Sequence, residues 1–434
     1  MPYLPHWPIP ASFGKREINY EEVFSRIIPI LEKLGNPHKK LPATIHVTGT
    51  NGKGSTIAFL AEILRQSNLK IDVFTSPHLH NCNERIILNG EKISDNYLYE
   101  ILEEARLATA EAPLTFFEGF FLAALLAFSR SNSDVLILEV GMGARIDATN
   151  IIDKKIATII TPISFDHMEY LGSSIERIAV EKAHIIRPNT PIIISSQPKA
   201  AQKIIEIIAN DQNAPMIRYD EEFAIIKDEE SGNFDFRFFD KIFENLAKPN
   251  LFGEHQYINA ATAIACALTL PFTINQNHIS KAMRKTFWAS RLEKVENGLC
   301  KFFKNKNSKV YIDGAHNQAG AFALARWILS EKKPSQKIFV VTGFSRDKCK
   351  KDFLLNFINV ADEIIAIRVD GEPYPEEAEK IVAIGKEIFA NICAKDDLLD
   401  AISYAAQNAG EEECIVVICG SLHLARDVKR FGKI

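Results

Sequence analysis

The sequence lacks the signatures of several large protein classes. Its seven cysteines (Cys82, Cys266, Cys300, Cys349, Cys393, Cys414 and Cys419) are odd in number and scattered, with no C-x-x-C pair. Disulfide frameworks and thiolate zinc sites use paired, regular spacings, so reduced thiols in a cytoplasmic protein are expected. No apolar run reaches the ~20 residues that a membrane-spanning helix needs. The most apolar stretch, Phe116 to Phe128, is interrupted by Glu118 and Gly119 and reads as a buried core helix. Positive charge is not in excess either: the formal net charge is −4, which gives no footprint for nucleic acid. The N-terminal stretch has no apolar core of a secretory signal, and its prolines favour an extended arm on the surface.

What is present is an ordinary globular composition, 47% hydrophobic and 24% charged, in a chain of 434 residues. Single cores stop growing near ~250–300 residues, so two domains are expected. Buried-strand patterns at Thr44–Thr48, Val135–Val140, Ala157–Ile163 and Pro191–Ser195 alternate with helical periods, as at Ile57, Leu60 and Leu64. The stretches Ile175–Ile186 and Lys199–Ile208 also read as helices. Such alternation predicts a mostly parallel sheet with helices on both faces. Glu221–Phe239 reads as a hairpin around an acidic turn, and helices are expected over Glu254–Leu270 and Ile279–Thr286. Strand patterns restart at Lys309–Ile312, Ile338–Thr342, Glu363–Val369 and Cys414–Gly420. The expected architecture is α/β: a P-loop, parallel-sheet ATPase domain over residues 1–292, then a smaller Rossmann-like α/β domain over 293–434.

One segment carries explicit chemistry. His46-Val47-Thr48-Gly49-Thr50-Asn51-Gly52-Lys53-Gly54-Ser55-Thr56 follows a strand pattern and opens a helix. Glycines there let backbone N–H groups turn toward phosphates, and the helix N-terminus adds partial positive charge. Lys53 is placed to reach the β/γ-phosphates, and Ser55 or Thr56 to give a hydroxyl to Mg²⁺. The spacing is a compact variant of the usual phosphate loop. The alternative is a ligand-free, glycine-rich turn. Glu139 ends the apolar run after Asp134, at the strand end where open parallel sheets bind ligands. It is a metal-ligand candidate, set against an ordinary loop acid.

With these residues in view, the chain resembles the Mur ligase superfamily and, within it, the folylpolyglutamate synthase/dihydrofolate synthase family. The resemblance rests on separated motifs in order: HVTGTNGKGST from His46, TSPHL from Thr75, NERI from Asn83, LEVGMGARIDATN from Leu138, SFDHMEYLG from Ser164, EKAHIIR from Glu181, GEHQYINAATA from Gly253, SRLE from Ser290, DGAHN from Asp313 and GSLHLARDV from Gly420. It implies an ADP-forming, ATP-dependent ligase of folate biosynthesis. In such enzymes ATP converts a carboxylate to an acyl phosphate, and the amine of L-glutamate displaces the phosphate. The acceptors implied are dihydropteroate and reduced folates, in one bifunctional enzyme; a single folate activity is the alternative.

Residue by residue, the resemblance implies that Gly49, Thr50, Asn51, Gly52, Lys53, Gly54, Ser55 and Thr56 bind ATP phosphates. Ser55 and Glu139 would hold a first Mg²⁺, and Glu139 and His167 a second. Lys182 would join them as a carbamate, since a bare ammonium beside Mg²⁺ is repelled; left unmodified it reads as a solvated helix charge. Asn259, Arg291, Asp313 and His316 would contact adenine and ribose from two domains that close on ATP. The turn Thr75-Ser76-Pro77-His78 would lie near the pterin or its carboxylate. No organic prosthetic group, nucleic acid or membrane is implied, and members are typically monomeric. Ala144 and His184 stand where the family commonly has glycine. Cys349 replaces an acidic residue after Asp347-Lys348. Two other readings remain: a cell-wall Mur ligase, which usually has a further N-terminal domain where about 45 residues precede the loop here, and a nucleotide-binding protein that kept the fold without catalysis.

Overall fold

The structure, a computed structural model, describes residues 7, 20–109, 112–296 and 298–431. The chain forms two compact units. The first holds the chain up to Ser164, then Met168–Asn250 and Gln256–Thr286; the second holds Phe165–His167, Leu251–His255 and the chain from Phe287 onward.

The first unit is built on an eight-stranded sheet: β1 (Ala43–Thr48), β2 (Ile71–Phe74), β3 (Ile86–Leu88), β4 (Glu91–Lys92), β5 (Val135–Glu139), β6 (Ala157–Ile160), β7 (Ile192–Ile194) and β8 (Met216–Arg218), in the order β4-β3-β2-β5-β1-β6-β7-β8. From β2 to β8 every pairing is parallel, and β3 and β4 add an antiparallel edge. The central strands read as unbroken apolar runs because helices cover both of their faces. The β6 strand stops short of the expected Ile163. Pro162 has no N–H for a ladder, and its carbonyl instead accepts the Thr50 and Asn51 amides at 3.0 and 3.2 Å.

The expected hairpin forms from β9 (Phe223–Lys227) and β10 (Phe234–Phe238), and β11 (Lys241–Leu246) extends it to three strands. Its turn closes on Asp228, whose carboxylate accepts the Glu230 amide at 2.9 Å and the Ser231 hydroxyl at 2.9 Å.

The apolar stretch at Phe116 is a buried helix, Phe116–Arg130. Thr115 and Glu118 cap it reciprocally, and Glu118, itself buried, pairs with Arg26 at 2.8 Å. Most of the proline-rich arm lies outside the described residues. Its one described residue, Trp7, is not on the surface as the prolines suggested. The indole N–H donates to the buried Thr109 hydroxyl at 3.1 Å, and the ring lies on Gly119, where any Cβ would sit 2.6 Å from it. A large ring with one donor is driven into an apolar groove that offers one acceptor.

The second unit has a six-stranded sheet: β12 (Glu293–Val295), β13 (Lys309–Ile312), β14 (Lys337–Thr342), β15 (Glu363–Ile367), β16 (Ile392–Lys395) and β17 (Cys414–Cys419). The order is β12-β13-β17-β14-β15-β16, parallel except for β12 with β13. One face packs Trp327 and Ile328 of the helix Gln318–Glu331 and Phe353 of the helix Lys350–Leu354 into a single apolar cluster. All seven cysteines are free, and among the described residues no helix is long and apolar enough to cross a membrane.

Replacing Trp7 by Ala removes a buried ring and is expected to lower the unfolding free energy by about 3 kcal/mol, read by urea titration. Unchanged stability would mean that the ring only rests on the groove.

Candidate active site

The phosphate loop runs from the end of β1 into the helix Lys53–Gln66. Gly49 has φ +146°, and a Cβ there would overlap the Thr161 side chain; Gly52 has φ +85° and lies against the Asn259 amide. Both conformations strongly favour glycine, which explains the glycines at these positions. Thr50 and Asn51 spend their amides on Pro162, and the Thr50 hydroxyl closes a reciprocal pair with Ser164 at 3.1 Å. The loop is therefore pinned at its crest. The amides that start the helix have no intrahelical partner and are the donors left for an anion. The hydroxyls of Ser55 and Thr56 are buried without a hydrogen-bond partner.

Two lysines converge on this loop. Lys53 Nζ donates to the carbonyls of Gly49 and Thr50 at 3.2 and 3.3 Å. Lys182 Nζ donates to the same Gly49 carbonyl at 2.8 Å. Lys182 is 4% exposed, on the inner face of the helix Ile175–Ala183, so it is no solvated surface charge. Sharing one acceptor holds the two nitrogens within about 6 Å of each other, where like charges repel unless an anion intervenes.

Glu139 ends β5 opposite Val47 of β1, so the register alone brings its carboxylate to the start of the phosphate loop. It is buried and accepts the Ser76 amide at 2.9 Å. The Thr75–His78 turn is held from below by two neighbours. The Glu84 carboxylate takes the amides of Leu79, His80 and Asn81, and those bonds outweigh its burial and keep its pKa below the usual range. The Thr75 amide donates to the Arg85 carbonyl at 3.0 Å, and Arg85 Nε donates to His78 Nδ1 at 2.9 Å. Asn259 is buried on the helix His255–Thr269, where it bonds to Gln256 at 3.0 Å and touches Gly52.

The first unit thus gathers the phosphate loop, Thr75–His78, Glu139, Lys182 and Asn259. The remaining candidates, His167, Arg291, Asp313 and His316, belong to the second unit. There Asp313 accepts the Leu292 and Ala315 amides, each at 2.8 Å, and ties the Arg291 segment to the end of β13. Arg291 donates to the Ser290 carbonyl at 2.9 Å and lies against Gly314. His316 Nδ1 lies 2.8 Å from the Gly314 carbonyl oxygen, and its Nε2 lies 3.1 Å from Asp166 Oδ2.

Asp166 is the hub of that unit's set. Besides His316 it takes Lys348 Nζ at 2.6 Å, Asn317 Nδ2 at 3.3 Å and the His167 amide at 2.9 Å. Burial would raise its carboxyl, but the His316 hydrogen bond and the surrounding positive groups outweigh that and hold it far below the usual range. His167, at φ +48°, is pushed down to about 4, first by burial, so it is a neutral imidazole with a lone pair to offer.

The departures from the family pattern are mild. Ala144 is fully buried in an apolar cluster. His184 is exposed and donates from Nδ1 to the Val180 carbonyl at 2.7 Å, while Lys182 points inward. Cys349 is exposed and its thiol donates to Asp352 at 3.0 Å. Reading the sequence did not single out Lys348, Asn317 or Arg85. The Lys348–Asp166 pair spans 182 residues, and nothing local announces it.

Within the first unit the donors suit a hard divalent cation: Ser55 offers an orphaned buried hydroxyl and Glu139 a buried carboxylate. Among the described residues no three His, Cys, Asp or Glu side chains form a ready metal cage.

Comparisons with known proteins identify the family. The model of the Mur ligase middle domain matches residues 47–267, and that of the dihydrofolate synthetase C-terminal domain matches 298–431. The dihydrofolate synthase/folylpolyglutamate synthase of Bacillus subtilis is 32% identical over 96% of each chain. The Mycobacterium tuberculosis folylpolyglutamate synthase complexed with ADP superposes with a TM-score of 0.85 at 28% identity, over 96% of this chain and 95% of that one. The bifunctional folylpolyglutamate synthase/dihydrofolate synthase of Yersinia pestis, solved with Mn, AMPPNP and L-glutamate bound, gives 0.83 at 26% identity, over 96% and 95%. A phosphate loop on a parallel sheet, a smaller Rossmann-like unit and matches along nearly the whole chain have one common explanation: this chain belongs to the dihydrofolate synthase/folylpolyglutamate synthase family of Mur ligases.

Proposed function

We propose that the protein is a bifunctional dihydrofolate synthase/folylpolyglutamate synthase, an ADP-forming ligase that joins L-glutamate to dihydropteroate and to reduced folates. The observation that carries this reading is the phosphate loop with Lys53 and Lys182 on one carbonyl and Glu139 at the adjoining strand end. Residues 1–292 act as the ATP-binding module and 293–434 as the ligase module. The enzyme works as a monomer in the cytoplasm.

The helix-start amides at Gly52–Ser55 and the Lys53 ammonium hold the ATP phosphates and draw charge off the γ-phosphoryl as it transfers. Ser55 and Glu139 would hold one Mg²⁺, and Glu139, His167 and a carbamylated Lys182 a second. The metals, when bound, neutralise phosphate charge and align the in-line displacement. Carbamylation converts the Lys182 ammonium into an oxygen donor and removes its repulsion from Lys53. One oxygen of the acceptor carboxylate bonds to the γ-phosphorus as the bond to the ADP oxygen breaks. The glutamate amine then attacks the acyl carbon, inorganic phosphate leaves, and the amine proton is released. The turn Thr75–His78 faces the acceptor. Asn259, Arg291, Asp313 and His316 serve the nucleoside, with Asp166 positioning His316 and His167.

Incubated with Mg-ATP, L-glutamate and either dihydropteroate or tetrahydrofolate, the purified protein is expected to release ADP and give a product one glutamate heavier from each acceptor. Product from one acceptor would make it monofunctional; ADP release from neither would remove the folate reading. Lys53→Ala is expected to lower turnover by at least about a hundred-fold with the fold intact by circular dichroism. Wild-type turnover in that variant would remove the phosphate-loop assignment. Lys182→Ala is expected to lose most activity and regain part of it with added acetate or formate as a stand-in for the carbamate. Full activity without additives would reduce Lys182 to a packing residue.

A further inference from the structure

Arg85 is an unusual arginine for its surroundings. Its residue is 8% exposed, yet it pairs with no carboxylate among the described residues. Its Nε donates to His78, and its guanidinium carbon lies 5.5 Å from the Phe116 ring centroid and 5.6 Å from that of Phe120. Among the described residues no acceptor meets its two terminal nitrogens. Burial pulls its pKa down, and the nearby Glu139 carboxylate acts against that. A largely buried guanidinium whose forked terminal nitrogens stay open is placed to take a planar anion.

The neighbours of Arg85 point to the anion. His78, which orients the guanidinium, sits in the turn whose Ser76 amide holds Glu139. Phe117 lies against Gly141, two residues after Glu139. Arg85 is therefore linked through His78 and its turn to the candidate metal carboxylate. The Phe116 ring is 39% exposed beside it and offers a face to a planar ligand. Glutamate has no planar ring to use that face, whereas a pterin-bearing benzoate does.

We propose that Arg85 binds the carboxylate of the pterin-bearing acceptor through its two terminal nitrogens and aims it at the γ-phosphate of ATP. The inference rests on the folate-ligase reading. In the transfer step one carboxylate oxygen attacks phosphorus and the other stays on Arg85. The guanidinium keeps its charge and its proton throughout. A forked donor fixes the plane of the carboxylate, which a lysine in its place does not.

The test uses the full chain, wild type and Arg85→Gln, with two probes: dihydropteroate and the same molecule lacking its carboxyl group. Binding is followed by intrinsic fluorescence, and KM values are measured for acceptor, ATP and glutamate. The wild type is expected to prefer dihydropteroate over the decarboxylated probe by about ten-fold or more, the value of a charge-assisted pair. Arg85→Gln is expected to bind the two probes alike and to raise the acceptor KM by a similar factor, with the ATP and glutamate KM values little changed. Arg85→Lys, which also serves if the Gln variant does not fold, is expected to keep only part of the preference. A preference retained in Arg85→Gln, or an equal loss of affinity for both probes, overturns the assignment and leaves Arg85 a packing residue. If the wild type binds neither probe, the folate-ligase reading itself fails, and this inference with it.

Discussion

Two ammonium groups, those of Lys53 and Lys182, donate to one carbonyl, that of Gly49, and much of the first unit's site depends on that arrangement. The carbonyl is available because Gly49 takes a positive φ that a side chain would strain, packed so close to Thr161 that no side chain fits. The neighbouring Thr50 and Asn51 are fixed to Pro162 and Ser164, so the loop cannot relax away from the lysines. The result is a rigid turn carrying concentrated positive charge. In the proposed function triphosphate answers that charge from one side, and the carbamate at Lys182 removes part of it from the other.

The supporting shell follows the same economy. Backbone amides help to hold several acids in place: Ser76 donates to Glu139, three consecutive amides to Glu84, and Leu292 and Ala315 to Asp313. Asp166 differs. It is surrounded by His316, Lys348 and Asn317, which take up its carboxylate locally.

Much of the fold was legible because buried parallel strands leave long apolar runs, as in Ile338–Thr342, and because glycine, lysine and hydroxyl residues cluster at the strand–helix junction after Thr48. The strands that escaped notice are short or partly polar: β2 contains Asp72, β4 is two residues long, and β16 ends in lysine. The site was legible where its residues lie close in sequence. Lys182 was harder, since a lysine on a helix reads as a solvated charge, and only the packing of that helix turns it inward. Asp166 with Lys348, and Arg85 with Phe116 and Phe120, depend on contacts between distant segments and have no local signature.

The most direct test of this account concerns the charge on Lys182. The protein is equilibrated with ¹³C-labelled bicarbonate and Mg-ATP and examined by ¹³C NMR, beside Lys182→Ala. The account predicts one protein-bound carbamate signal in the wild type that is absent from the variant. A wild-type spectrum without that signal, from enzyme active in the same tube, would contradict it and leave two bare ammonium groups sharing the Gly49 carbonyl.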